Sequence, residues 1–61
     1  MSDVDKANQT LMQTGLTGIS RNDMAIIKAG FGLDQTDYTY DKTTDTYSID
    51  SKILNKSGLD P

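Results

Sequence analysis

The chain has 61 residues, no cysteine and no histidine, and nine acidic against six basic residues give it a formal charge of −3. This length fits one small domain over residues 1–61, and the composition excludes disulfide bonds, thiolate metal sites and imidazole ligands. Because the basic residues are few and scattered, we expect no nucleic-acid partner. No apolar run approaches a membrane span and no leader-like start is seen, so we expect no membrane partner and a cytoplasmic location, or a virion if the chain is phage-encoded.

The first segment has the spacing of an amphipathic helix. Ser2 stands three residues before Asp5, which lets its hydroxyl accept a backbone N–H at the start of a helix. Apolar residues then recur at helical spacing, and a glycine follows as a C-terminal stop: Val4, Ala7, Leu11 and Gly15. The pattern predicts a helix over residues 3–14.

The second segment repeats this arrangement with a more apolar face. Ser20 stands three residues before Asp23, and Met24, Ile27 and Phe31 follow at positions i, i+3 and i+7. The pattern predicts a helix over residues 21–29 that ends at Gly30. With only two basic residues on this helix, we expect an ordinary helical hairpin rather than a DNA-binding helix-turn-helix.

Residues 37–50 have the alternation of a β-hairpin. Aromatic and β-branched residues alternate with polar ones on both sides of a turn rich in Asp and Thr. If Tyr40 faces Tyr47, then Tyr38 faces Ile49, and all four side chains share one face. Thr39 and Ser48 then pair on the other face, and the like-charged pair of Asp37 and Asp50 should fray the end of the ladder.

This hairpin resembles one in a known family. Asp37 through Ile49 is similar to the C-terminal hairpin of the immunoglobulin-binding domains of streptococcal protein G, in its aromatic-Thr-Tyr-Asp run and the Thr-aromatic strand that follows. The resemblance implies a six-residue connection from Asp41 to Thr46. It implies no shared fold and no binding residues, because two helices precede the hairpin here, whereas that family has a hairpin and one helix.

The last segment is short. Asp50 or Ser51 is suited to cap a helix over residues 51–57 that ends at Gly58. The whole chain therefore predicts an α+β fold with two N-terminal helices, a β-hairpin and a short C-terminal helix.

The composition argues against catalysis. Nucleophilic and general-base chemistry usually relies on His, Cys or a poised Glu, and all nine acidic residues are Asp. We therefore expect no enzyme activity and no cofactor. The densest acidic run offers oxygen ligands to Ca²⁺ but lacks EF-hand spacing, so we expect no dedicated metal site: Asp34, Asp37, Asp41 and Asp45.

The three tyrosines of the hairpin have two interpretations. Tyr38, Tyr40 and Tyr47 are of the type that stacks on nucleic-acid bases. That function needs flanking positive charge, and the flanks here are rich in Asp. We expect the tyrosine face to pack on the second helix.

A thin core is the main functional indication. Leu, Ile, Val and Phe together number twelve of 61 residues, and no disulfide or metal reinforces them. We therefore expect a non-enzymatic structural or interaction subunit of a larger assembly, with a protein partner or as a homo-oligomer. A composition rich in Thr, Asp, Gly and Gln suits a small phage virion accessory, such as a decoration or connector protein. The predicted interface residues are Met12, Phe31, Leu54 and Leu59.

An alternative is a small acidic inhibitor or regulator that docks on an enzyme or mimics nucleic acid. For this function the candidate surface is the acidic side of the hairpin, formed by Asp37, Asp41 and Asp45. Reversing these charges should abolish binding if the hairpin carries the function.

Overall fold

The computed structural model describes residues 2–53. They form helices α1 (Asp3–Thr14) and α2 (Arg21–Phe31), followed by strands β1 (Tyr38–Asp41) and β2 (Thr46–Ile49). This order confirms an α+β arrangement in which two helices precede a hairpin. The helix predicted over residues 51–57 lies largely outside the described residues, within which the Ile53 N–H donates to the Asp50 carbonyl at 3.1 Å.

Helix α1 has the predicted bounds, and local hydrogen bonds set both of its ends. The Ser2 hydroxyl accepts the Asp5 backbone N–H at 3.2 Å. At the other end, the Gly15 N–H donates to the Leu11 carbonyl at 2.8 Å. Ala7 and Leu11 are the buried residues of this helix, so its inner face is narrow.

Helix α2 begins as predicted but continues two residues further. The Ser20 hydroxyl accepts the Asp23 N–H at 3.2 Å. The prediction that the helix ends at Gly30 is wrong, because the residue that caps it is Gly32, in the left-handed conformation with φ of 65°. Gly30 lies inside the helix where α1 crosses it, and a Cβ there would overlap Ala7 and come within 2.5 Å of the Asp3 carbonyl oxygen.

The hairpin has the predicted antiparallel register. Its pairs are Tyr38 with Ile49, Thr39 with Ser48, Tyr40 with Tyr47 and Asp41 with Thr46. The resemblance implied a six-residue connection from Asp41 to Thr46, but these two residues form the last pair of the ladder, so the connection has only the four residues 42–45. The strands end at Tyr38 and Ile49, and one further bond runs from the Asp50 N–H to the Asp37 carbonyl at 3.2 Å.

The connection between the helices pairs with the hairpin. Ile19 and Tyr47 exchange two backbone hydrogen bonds, with N–O distances of 3.0 and 2.8 Å, and the Ile49 N–H donates to the Leu16 carbonyl at 2.8 Å. The segment before α2 therefore covers the side of β2 that faces away from β1.

The core draws on both helices, the connections and β2. In addition to Ala7, its buried apolar residues form one cluster against which Leu16, Phe31, Tyr38 and Tyr47 pack: Leu11, Ile19, Met24, Ile27, Leu33, Ile49 and Ile53. No helix within residues 2–53 is long and apolar enough to cross a membrane.

Candidate interaction surface on the hairpin

The three tyrosines form an aromatic cluster on one face of the hairpin. The Tyr40 and Tyr47 rings lie 4.9 Å apart between centroids, and Tyr38 meets Tyr47 edge to face at 5.8 Å. Both arrangements are favourable for aromatic pairs. Tyr38 and Tyr47 pack against the core as predicted, whereas Tyr40 remains 47% exposed and lies at the outer part of the cluster.

The tip of the hairpin is joined to the start of α2 by three polar side chains. An Arg21 Nη2 donates to Asp45 Oδ1 at 3.0 Å, and the Tyr40 hydroxyl donates to the same oxygen at 2.7 Å. Asp45 has a φ of 56°, and Asp tolerates this left-handed conformation better than most residues. The turn thus aims its carboxylate at a cation on another element.

These contacts perturb the ionisation of all three groups. The hydrogen bond from Tyr40, followed by the one from Arg21 and its charge, lowers the pKa of Asp45. The same bond to Asp45 raises the pKa of Tyr40, and the bond and charge of Asp45 raise the pKa of Arg21. All three side chains are open to solvent, which screens their charges. We therefore regard the network as a contact that positions the hairpin tip.

Asp37 is not part of the surface on which it was predicted to lie. It is only 3% exposed, and its carboxylate accepts the backbone N–H of Asp34 at 3.0 Å. Asp50, the residue expected to oppose Asp37, accepts the Lys52 N–H at 3.0 Å and lies 3.9 Å from the Lys52 ammonium. The acidic group therefore separates into a buried Asp37, an Asp45 paired with Arg21, and an exposed Asp41 that accepts the Thr43 N–H at 2.9 Å.

The four predicted interface residues have different positions. Met12 is 84% exposed on α1. Phe31, the last residue of α2, is half-buried at the margin of the core. Leu54 and Leu59 lie outside the described residues. Met12 is therefore the predicted residue with the most apolar surface available, while much of Phe31 is already used within the fold.

The concavities of the described chain are shallow. One, of about 170 Å³, lies between α2 and the aromatic cluster and is flanked by Arg21 and Lys28, whose ammonium lies 5.6 Å from the centre of the Tyr38 ring. Another, of about 250 Å³, lies beside the start of the hairpin and includes Thr39 and Ser48 in its lining. No group of three or more carboxylates within residues 2–53 is placed to hold a metal ion.

Sequence reasoning did not identify the contributions of Arg21 and Ile19. Arg21 lies 24 residues from Asp45, and no local pattern links the two. Ile19, in the connection between the helices, pairs with Tyr47 of β2. The available signal was its β-branched side chain in a short connection rich in glycine, which is compatible with extended backbone.

Comparisons with known proteins add nothing to this geometry. No family model, curated protein or solved structure matches the chain. A functional proposal therefore rests on the small core and the exposed residues of α1.

Proposed function

We propose that the chain is a non-enzymatic structural or interaction subunit of a larger protein assembly. The observation that carries this proposal is the small core. Eight apolar residues are buried within residues 2–53, and the largest that are fully buried are Ile19, Ile27 and Ile53. A domain of this size without disulfides has little stability in reserve, and burial against a partner is a common way to supply it.

The exposed apolar side chains of α1 are consistent with such a partner. Met12 is 84% exposed and Val4 is 45% exposed. Isolated exposed apolar residues are common on free proteins, so they support the proposal only together with the small core. Methionine also adapts its shape to many surfaces, which suits a contact residue.

Within this class we favour a small phage virion accessory, such as a decoration or connector protein. The support is compositional, since Thr, Asp, Gly and Gln are prominent and Cys, His and Trp are absent. A protein of this kind occurs in fixed stoichiometry with a large repeating protein.

The test is purification of the full chain from its natural source, with its mass and stoichiometry measured by light scattering. We expect a defined oligomer or a fixed ratio to a larger protein. Met12→Asp should reduce the incorporated fraction, whereas Gln13→Asp, at the exposed neighbouring position, should not. A monomer that joins no complex in its natural source would contradict the proposal.

The alternative, an acidic inhibitor or regulator that docks on an enzyme or mimics nucleic acid, has less support from the geometry. Asp37 is buried and Asp45 is paired with Arg21, so less free negative charge is available on the hairpin than the sequence indicated. Met12→Asp separates the two proposals, because it should reduce an assembly through α1 and leave binding by an acidic hairpin intact.

A further inference from the structure

The two sides of the hairpin differ in how their backbone groups are used. Tyr47 directs its N–H and carbonyl to Ile19, and Ile49 directs its N–H to Leu16. Both residues therefore point their backbone groups away from β1. In an antiparallel ladder, hydrogen-bonded pairs alternate with non-hydrogen-bonded pairs, in which the backbone groups of both residues point away from the partner strand. Tyr47 and Ile49 belong to non-hydrogen-bonded pairs, so the backbone groups of their partners on β1 also point outward.

Those partners are Tyr38 and Tyr40, which direct their backbone N–H and carbonyl groups to the outer edge of β1. No backbone group within residues 2–53 pairs with this edge. The opposite side of the hairpin, by contrast, is covered by the connection between the helices. Exposed strand edges of this kind can accept an extended segment as an additional strand.

The side chains along β1 indicate the chemistry of such a segment. Tyr38 and Tyr40 lie on the aromatic face, and the 47% exposure of Tyr40 leaves ring surface for β-branched or aromatic neighbours. Thr39 and Asp41 lie on the opposite face and are exposed. Asp41 is the exposed carboxylate of that face, so positive charge on the same face of an added strand is complementary.

A second copy of this chain is a poorer occupant. In a two-fold antiparallel pairing centred on Thr39, each Asp37 would lie opposite Asp41 of the other copy, which repeats a like-charge pair. The formal charge of −3 on each chain adds to the repulsion.

We propose that the outer edge of β1 receives an extended, basic segment of a partner protein as an additional strand. The segment alternates β-branched or aromatic side chains toward Tyr38 and Tyr40 with Lys or Arg toward Asp41. This inference rests on the proposed function insofar as it requires a protein partner.

The test is amide hydrogen exchange by NMR on the full chain. The probe is the peptide acetyl-Val-Lys-Val-Thr-Val-Lys-Val-amide, and its counterpart with Glu at both Lys positions is the control. We expect the amides of Tyr38 and Tyr40 to exchange rapidly in the free chain and those of Tyr47 and Ile49 to be protected. At a peptide concentration that occupies about nine-tenths of the chains, exchange at Tyr38 and Tyr40 should slow about tenfold, and the Glu peptide should have no effect.

Charge reversal supplies the matched comparison. Asp41→Lys should weaken binding of the basic peptide on the order of fivefold at low salt, and Asp5→Lys on α1 should leave it unchanged. If both reversals have the same effect, or if the basic peptide fails to slow exchange at Tyr38 and Tyr40, the proposal is overturned.

Three further outcomes also overturn the strand-addition proposal. Protection of Tyr38 and Tyr40 in the dilute free chain would show that this chain already covers its own edge, and protection that grows with chain concentration would assign the edge to a second copy. A natural partner that binds while both amides still exchange rapidly would leave the proposed function intact and remove only the strand-addition inference.

Discussion

Substitution of Gly30 tests the contact between the two helices most sharply. An ordinary Gly→Ala change inside a helix stabilises it by about 1 kcal/mol. At Gly30 the new Cβ would meet Ala7 and the Asp3 carbonyl oxygen, and neither can rotate away. Overpacking of this kind costs about 1–3 kcal/mol, and the rigidity of both neighbours places the cost at the upper end. We therefore expect Gly30→Ala to lower the free energy of unfolding by about 2 kcal/mol, a shift of about 8–16 °C in Tm.

Gly32 provides the matched control. A Cβ at Gly32 would contact nothing within 4 Å, so only its left-handed conformation opposes substitution. Gly32→Ala should cost about 1–2 kcal/mol, and Gly32→Asn less than about 1 kcal/mol, because Asn tolerates this conformation. Gly30→Asn should be much more harmful than Gly32→Asn. Urea unfolding followed by circular dichroism at 222 nm measures all four variants, and a Gly30→Ala protein more stable than the parent would refute the reasoning.

Three further predictions concern the core, the buried carboxylate and the polar network. Ile27→Ala should cost about 2–5 kcal/mol in urea unfolding because Ile27 is fully buried, and the half-buried Ile26→Ala should cost clearly less. Asp37→Ala should cost about 1.5–3 kcal/mol by removing a charged acceptor from the Asp34 N–H, whereas Asp41→Ala should change stability little; equal costs would contradict the burial of Asp37. In melts at different pH, the stabilisation from Asp45 should be full above the ordinary pKa of its carboxyl, 3.8, and should be lost as the pH falls through the lowered pKa of Asp45 in the fold. Asp45→Asn should remove this pH dependence, and the control Asp5→Asn should not. The stabilisation from Tyr40 should be full below its ordinary pKa of 10.0 and be lost as the pH rises through its raised pKa in the fold, and Tyr40→Phe should remove this loss while Tyr47→Phe should not.

Features that depend on neighbours in the chain could be predicted from the sequence. The start of each helix follows from a serine three residues before an aspartate, and the structure forms both bonds. The register of the hairpin follows from the alternation of tyrosines with threonines and serine around one turn. In each case the pattern and the hydrogen bond lie within the same short segment.

Features that depend on contacts between residues distant in the chain could not be predicted from the sequence. A glycine gives the same local signal whether it ends a helix or lets another helix approach, and only the crossing of α1 shows that Gly30 has the second function. Asp37 was expected on the surface because aspartate usually is, yet the turn from Asp34 places its carboxylate inside. The bond of Arg21 to Asp45 is likewise invisible until the hairpin is folded against α2.

The unfolding free energy of the isolated chain, measured in urea at several protein concentrations, tests most directly whether the molecule needs a partner. We expect less than about 5 kcal/mol, or a midpoint that rises with concentration, because the buried apolar residues are few. A monomer that unfolds in one sharp transition, independent of concentration and with more than about 5 kcal/mol of stability, would contradict a function in assembly.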